Sequence, residues 1–339
     1  MHAIRVQEDG SLDWSPVRAP SPGPDEVVVD VAATAVNRAD LLQRRGLYPP
    51  PDGASEILGL EAAGTIHRTG DAVDRWSEGD RVAALLAGGG YAERVAVPAD
   101  LLLAVPDDLP LAEAAALPEV FYTAHLNLRL EANLSEGESV LVHAGASGVG
   151  TAAIQICALF DAPVHATASA PKLDFLREMG VRTAIDRHDE DFAERLNASN
   201  TEVDVVLDPV GGDYLERNID VLADCGRLVV IGLLGGAEGQ LPLADLLQRR
   251  LRVIGSVLRT RSHDEKVEIT ESFRREVWPH VGTGELEPIV YETVPIAEAE
   301  RAHRLLEENR TVGKVVLVVD PQRADPPEQT LRDRRAFDF

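Results

Sequence analysis

The hydrophobic pattern changes character twice along the chain. Over the first third, apolar residues fall in short alternating runs separated by Gly, Pro and Asp, the period of two expected of strands. Strands are predicted at 26–32, 61–69, 80–86 and 91–97, with a turn at 88–90 and Ala-rich helical periodicity opening at 110–117. From Ser139 onward, short buried runs alternate with helical stretches. Strands are predicted at 139–143, 164–167, 183–186, 203–207 and 227–231, and helices at 151–160 and 172–179, the second closed by Gly180. Such alternation implies a parallel sheet with helices on both faces. The last part is helical at 262–281 and 296–308, with a strand at 314–319. Residues 320–339, rich in Pro, Arg and Asp, read as a tail with weak order. The fold class expected is α/β, a Rossmann-type doubly wound parallel sheet joined to a β-rich domain to which the C-terminal part returns.

Composition narrows this picture. At about 150 residues per domain, a chain of 339 residues suggests two domains, and 45% hydrophobic residues supply a packed core. No apolar run approaches the ~18 residues of a membrane span. Residues 1–10 carry neither a basic n-region nor an apolar h-region, so a soluble cytoplasmic protein is expected. The formal net charge is −24, and only three of the 33 basic residues are lysines: Lys172, Lys266 and Lys314. This balance argues against nucleic-acid binding, which needs a basic footprint, and resembles proteins of salt-loving organisms. Cys157 and Cys225 have no Cys-x-x-Cys spacing; both are expected to be small buried hydrophobes rather than parts of a disulfide or metal site.

The strongest local signal is His143-Ala-Gly-Ala-Ser-Gly-Val-Gly150, directly between a strand and a helix. Glycines there let backbone amides approach a pyrophosphate, and the helix N-terminus favours its charge. The strict G-x-G-x-x-G spacing is absent; Gly145, Gly148 and Gly150 stand instead, with Ser147 among them. Specificity for NAD usually places an acid at the end of the second strand, but that strand ends Ala166-Thr-Ala-Ser169. Lys172 follows and Arg187 lies after the third strand. A missing carboxylate with cations nearby suits the 2′-phosphate of NADPH; solvated surface residues are the alternative for both. Gly232-Leu-Leu-Gly235 follows the strand at 227–231. It is expected to flank the nicotinamide half, since ligands bind beyond the carboxyl ends of strands. A tight structural loop is its alternative.

These residues, with Asn37-Arg-Ala-Asp40, Gly46-Leu-Tyr-Pro-Pro, Gly59-Leu-Glu-Ala-Ala-Gly64, Leu85-Leu-Ala-Gly-Gly-Gly90 and Val312-Gly-Lys-Val-Val316, resemble one family. It is the zinc-independent quinone oxidoreductase branch of the medium-chain dehydrogenase/reductase superfamily, and within it the tumour-suppressor-inducible type. The resemblance implies a GroES-like catalytic domain built from 1–122 and 263–319, with a Rossmann domain at 123–262 inserted between, and 320–339 as the tail. It implies cofactor contacts at Thr123, Ala146, Ser147, Gly148, Val149, Gly150, Ser169, Lys172, Arg187, Gly232, Leu233, Leu234, Gly235, Leu258 and Lys314. It also implies a homodimer joined through the apolar strand at 253–258. Zinc alcohol dehydrogenases of the superfamily have Gly-His-Glu where this chain has Gly59-Leu60-Glu61, and no Cys precedes Cys157. No zinc is therefore expected.

Asn37 and Tyr48 match the polar positions that line the family's acceptor site. Tyr48 is expected to stack on a planar quinone or donate its hydroxyl, and Asn37 to donate its amide. A loop-bracing Asn and a half-buried Tyr are the structural alternatives, and Asp40 and Glu61 are expected to be structural acceptors. Thr123 is either a nicotinamide contact or a helix N-cap. Two other functions stay open at this point. One is an enoyl-thioester reductase, which needs a placed acid such as Tyr48 to protonate carbon. The other is a non-enzymatic NADPH-binding stress or sensor protein.

The charge yields a direct test. A charge of −24 repels itself in dilute buffer and is screened in molar salt, where the Debye length is roughly 3 Å. The melting temperature should climb as KCl is raised to molar concentration. A Tm that stays flat removes the case for adaptation to salt.

Overall fold

The computed structural model describes residues 1–327 and 329–334. Its strands, in chain order, are β1 His2–Val6, β2 Leu12–Pro16, β3 Glu26–Ala35, β4 Glu61–Thr69, β5 Arg81–Leu85, β6 Arg94–Pro98, β7 Leu102–Ala104, β8 Val140–Val142, β9 Val164–Ala168, β10 Thr183–Asp186, β11 Val203–Asp208, β12 Leu222–Val230, β13 Arg252–Gly255, β14 Val290–Pro295 and β15 Lys314–Val318. The described residues form two units: 1–122 with those from 259 to 334, and 123–258.

In the first unit, the alternating runs of the N-terminal third build a sheet ordered β14-β15-β3-β4-β5-β7, with β6 also pairing with β3. Strand β3 runs three residues beyond the expected end at 32, because Ala33, Thr34 and Ala35 pair antiparallel with β15. Small residues dominate this stretch since both faces are covered: Ala33, Ala35, Ala63 and Ala83 pack in one core with Leu111, Ala112 and Val316. A second core joins Val27, Val29 and Val31 to Val82, Val95 and Leu102. The strand β15 thus closes a sheet begun by residues nearly 300 positions earlier, and β14 lies parallel beside it.

The helical stretch expected at 262–281 is broken. Ser262 caps a helix His263–Glu276 through a capping box with Glu265. A separate turn Trp278–Val281 follows Val277. Pro279 explains the break: it has no N–H for an i−4 bond, and its ring clashes with the carbonyl four residues back. The tail is corrected in its described part. Asp320 caps a short helix Pro321–Ala324, Ala324 is fully buried, and Arg323 reaches Asp30 at 3.1 Å. Helix Leu331–Arg334 is held by Arg332 to Glu292. Residues 328 and 335–339 of the expected tail lie outside the described residues.

The second unit is a six-stranded sheet ordered β10-β9-β8-β11-β12-β13, parallel throughout. Its strands are short and apolar because helices cover both faces. Leu141, Val206 and Leu228 pack with Phe192, Leu196 and Ile219 of the crossover segments. Strand β13 stands at one edge, but it ends at Gly255 rather than continuing to 258; Ser256 N–H to Val230 carries the last ladder bond. Cys157 is buried, whereas Cys225 is exposed, which corrects the expectation for that residue. Cys225 sits at φ +64° within β12, where the β11–β12 register shifts.

Candidate functional site

The glycine loop in the second unit is built by close approach. Ala144 turns at φ +52°, a left-handed conformation uncommon for a residue with a Cβ. A Cβ on Gly145 would lie 2.7 Å from that of Ala166, and one on Gly150 would lie 2.5 Å from the Ala144 and Gly145 carbonyls. Neither position admits a side chain. Ser147 caps the helix Gly148–Leu159, its Oγ accepting from Gly150 N–H at 3.1 Å. This leaves the first-turn amides of Gly148 and Val149 without an intrahelical acceptor. Ala146 is buried and Ser147 exposed.

A chain of buried hydrogen bonds, not foreseen from the sequence, holds this loop. His143 Nε2 lies 2.7 Å from Asn218 Oδ1, and Asn218 Nδ2 donates to Asp208 Oδ2 at 3.0 Å. Asp208 accepts from the Val210 and Gly211 amides. On the other side, His143 Nδ1 lies 3.1 Å from Thr167 Oγ1, which also accepts from Ala144 N–H. Since Asn218 Oδ1 is the acceptor, the histidine proton sits on Nε2 and Thr167 donates to Nδ1. Burial lowers the His143 pKa to about 4 and raises that of Asp208 to about 6. The ends of β8, β9 and β11 are thereby locked together.

Several of the expected cofactor residues follow strands of the parallel sheet. Ser169 follows β9, and Lys172 ends the 3-10 turn Ala170–Lys172. Lys172 is buried and engaged within the protein, while Arg187 is exposed, its amide bonded to the Ala168 carbonyl. Gly232 follows β12; a Cβ there would lie 2.6 Å from the Pro209 carbonyl, and one on Gly235 would lie 2.8 Å from Val210 Cγ1. Leu233 and Leu234 are exposed. Leu258 stands three residues past the end of β13. Thr123 lies inside the helix Pro118–His125, not at its N-cap, and its carbonyl accepts from Asn127 Nδ2 at 2.7 Å.

The first unit contains a closed polar cluster. Lys314 Nζ lies 2.8 Å from Glu61 Oε1 and donates to the Val36 carbonyl at 3.1 Å and to Asn37 Oδ1. Glu61 is fully buried and also accepts from Asn37 Nδ2 at 2.8 Å and from Glu119 N–H at 2.9 Å. An ammonium has three protons, and all three are used here. Lys314, expected at the cofactor, thus has three partners within the protein. The contacts of Asn37 are those of the loop-bracing alternative. Its Nδ2 faces Glu61 and the Ala35 carbonyl, its Oδ1 faces Lys314, and it is 5% exposed, so it has no donor left for an acceptor molecule. Asp40 accepts from the Asn37 and Gly59 amides; burial, the largest influence, pushes its pKa up to about 6.

Tyr48 is half-buried. It lies between Gly46, at φ +72°, and three consecutive prolines, and no described residue bonds its hydroxyl. Burial raises its pKa above the ordinary tyrosine value, with Arg259 opposing and Glu119 adding to the rise.

Two family models match the chain, the alcohol dehydrogenase GroES-like domain over 23–107 and the zinc-binding dehydrogenase over 148–273. The human synaptic vesicle membrane protein VAT-1 homolog is 32% identical over 330 residues, covering 92% of this chain and 84% of that protein. The chain belongs to the medium-chain dehydrogenase/reductase superfamily of oxidoreductases. Among solved structures, a Pseudomonas syringae quinone oxidoreductase superposes with TM-score 0.82 at 30% identity, over 94% of this chain and 99% of that one. The CurK enoyl reductase gives TM-score 0.82 at 30% identity over 94% and 98%. Mycobacterial Rv1454c complexed with NADPH gives 0.84 at 31% over 94% and 100%.

Members of this superfamily bind nicotinamide cofactors, and the glycine cradle fits a dinucleotide: its positions exclude a Cβ and its helix presents open amides. The zinc named by one of the matching models does not fit this medium-chain dehydrogenase/reductase. Leu60 supplies no ligand, Glu61 is bound to an ammonium, and Asp40 accepts from amides. Among the described residues no group of three or more His, Cys, Asp or Glu is placed to hold a metal.

The cluster makes a stability prediction. Lys314→Ala leaves the Glu61 carboxylate buried and uncompensated, a loss of ~3–5 kcal/mol. Adding Glu61→Gln removes that charge and should recover more than half of the loss. Urea midpoints at constant m-value check both; a double variant no more stable than the single one contradicts this account of the cluster.

Proposed function

We propose that this chain reduces quinones, or related electron-poor carbonyl and alkene acceptors, using NADPH and no zinc. The observation that carries the reading is the closure of the Asn37–Glu61–Lys314 cluster. It uses the polar atoms of Asn37, Glu61 and Lys314 on one another, so that in this reading Tyr48 is the donor to the acceptor molecule. Bound NADPH supplies a hydride. The Tyr48 hydroxyl, kept neutral by its raised pKa, donates a hydrogen bond to the developing oxyanion and orients the acceptor ring. A quinone needs nothing more, because its reduced oxyanion takes a proton from water.

Gly148 and Val149 hold the pyrophosphate at the helix N-terminus, with Ala146, Ser147 and Gly150 shaping the loop. Ser169, Lys172 and Arg187 hold the 2′-phosphate; of the two cations, Arg187 is the exposed one. Thr123, Gly232, Leu233, Leu234, Gly235 and Leu258 flank the nicotinamide half. The protein works as a cytoplasmic homodimer joined along β13. Support for the dimer comes from exposed apolar residues: Val253 and Val257 on and after the edge strand, and Leu243 and Leu247 one turn apart on the helix Leu243–Gln248. No helix among the described residues is long and apolar enough to cross a membrane.

The likeness to CurK keeps enoyl reduction as a second reading. It requires Tyr48 to give up its proton to carbon, a harder task for a phenol whose pKa is raised.

NADPH should bind more tightly than NADH. Lys172→Ala and Arg187→Ala should each narrow the preference roughly tenfold or more, the loss of one charge-assisted bond of ~1.5–3 kcal/mol. Equal affinities in the wild type sink the assignment. For the acceptor, Tyr48→Phe should lower kcat/KM for 1,4-benzoquinone roughly tenfold to hundredfold, independently of pH. If wild type prefers crotonyl thioester and the variant loses that activity altogether, enoyl reduction replaces the quinone reading.

A further inference from the structure

Arg259 is the first residue of the returning part of the first unit and is 6% exposed. Its guanidinium serves three segments. Nε and Nη2 both donate to the Ala87 carbonyl, at 2.9 and 2.7 Å, and Nη2 donates to Gln43 Oε1 at 2.7 Å. Nη1 donates to the Tyr48 carbonyl at 3.3 Å, while the guanidinium carbon lies 5.1 Å from the centroid of the Tyr48 ring. Gln43 is itself anchored, its Nε2 donating to the Glu56 carbonyl at 3.0 Å. The same cation therefore holds Tyr48 by its backbone and covers its ring.

We infer that Arg259 is a positioning residue for the acceptor site, fixing the Tyr48 ring and sharpening its hydroxyl as a hydrogen-bond donor. This rests on the proposed role of Tyr48. The backbone of Tyr48 is already narrowed, by Pro49 on one side and by the helix end at Gly46 on the other. What remains is the tilt of the ring and its swing about the side-chain bonds. A planar guanidinium over one face, bonded at several points to fixed carbonyls, removes both freedoms as a mobile lysine cannot. The charges facing this pair are few. Glu119 bears on Tyr48, and Asp40 and Lys266 bear on Arg259. With the nearest cation gone, Glu119 and burial act on the phenol unopposed, so its pKa must rise.

The test places 3-fluorotyrosine at position 48 of the full-length protein, where its more acidic phenol titrates under milder alkali than tyrosine. The ¹⁹F shift is followed against pH at fixed salt in wild type, Arg259→Met, Arg259→Lys and Gln43→Ala. Arg259→Met should raise the fluorophenol pKa and broaden or split its resonance as the ring gains freedom. Arg259→Lys should keep the pKa nearer wild type but not the single sharp line. In unlabelled protein, Arg259→Met should lower kcat/KM for 1,4-benzoquinone roughly tenfold, mostly through KM. That loss should shrink to about twofold in a Tyr48→Phe background, where there is no hydroxyl to aim. If Arg259→Met folds poorly, Gln43→Ala, which removes one anchor of the guanidinium, must show the same changes in smaller measure. An unmoved fluorophenol pKa, or an equal loss with and without the Tyr48 hydroxyl, reduces Arg259 to a structural brace and overturns the inference. A moved pKa with a kinetically silent Tyr48→Phe instead overturns the acceptor role of Tyr48, while leaving the coupling between the two side chains established.

Discussion

A single buried ammonium organises the first unit. Lys314 stands at the start of β15 and Glu61 at the start of β4, while Asn37 caps the helix Arg38–Arg44 that follows β3. Burying two charges costs several kcal/mol per ion, and their attraction offsets this only if the remaining hydrogen-bonding capacity is met. Here it is met on both sides: three acceptors around Nζ, and two donors besides the ammonium on the carboxylate. The cluster can form only when the C-terminal strand has joined the N-terminal sheet. It thus specifies the discontinuous unit and also fixes its chemistry. Glu61, the acid that remains beside a lost zinc-ligand position, is neutralised in place and is available neither to a metal nor as a base.

How much of this was legible depended on whether the signal was local. The strand pattern of the first third gave β4 at 61–69 and the short apolar runs of the second gave β10 at 183–186, both to the residue, because such signals are written in consecutive positions. The loop at 143–150 was legible for the same reason. The interruption at Val277 was written too, in Pro279, but a long helical period on either side masked it. The tail misled by composition: its prolines and charges suggested disorder. Instead, Asp320 caps a helix, and Arg323 and Arg332 find Asp30 and Glu292, partners hundreds and tens of positions away.

The candidate site was legible as a set of segments and not as a set of roles. Asn37, Glu61 and Lys314 were each singled out separately, yet only the fold shows that they satisfy one another. The bonds that use up their donors span 24 and more than 250 positions. Periodicity carries no information on such pairs. The same limit hid the His143–Asn218–Asp208 chain. Its one sequence trace is a histidine ending an apolar strand, which a core residue with a satisfied ring would also leave. Arg259 was hidden differently, as one arginine in a chain whose cations are almost all arginine.

That bias toward arginine has a counterpart in where the lysines sit. Lys172 is 8% exposed and Lys314 3%, and Lys266 is half-buried; none of the three is a freely solvated surface residue. Exposed positive charge is carried by arginine, whose planar fork pairs with the abundant carboxylates, as at Arg45–Glu307 and Arg217–Asp191. A lysine is a compact charge with three freely directed donors, and this suits the Glu61 cluster, where three separate acceptors meet one nitrogen. A guanidinium spreads its donors over three nitrogens in a fixed plane, a poor substitute for one nitrogen that serves three acceptors. Arg259 is the converse case: its acceptors and the Tyr48 ring are served by a flat group, and a point charge would serve them poorly. The two cations of the first unit that matter most to the proposed site are thus not interchangeable, and the reason lies in the geometry of their acceptors.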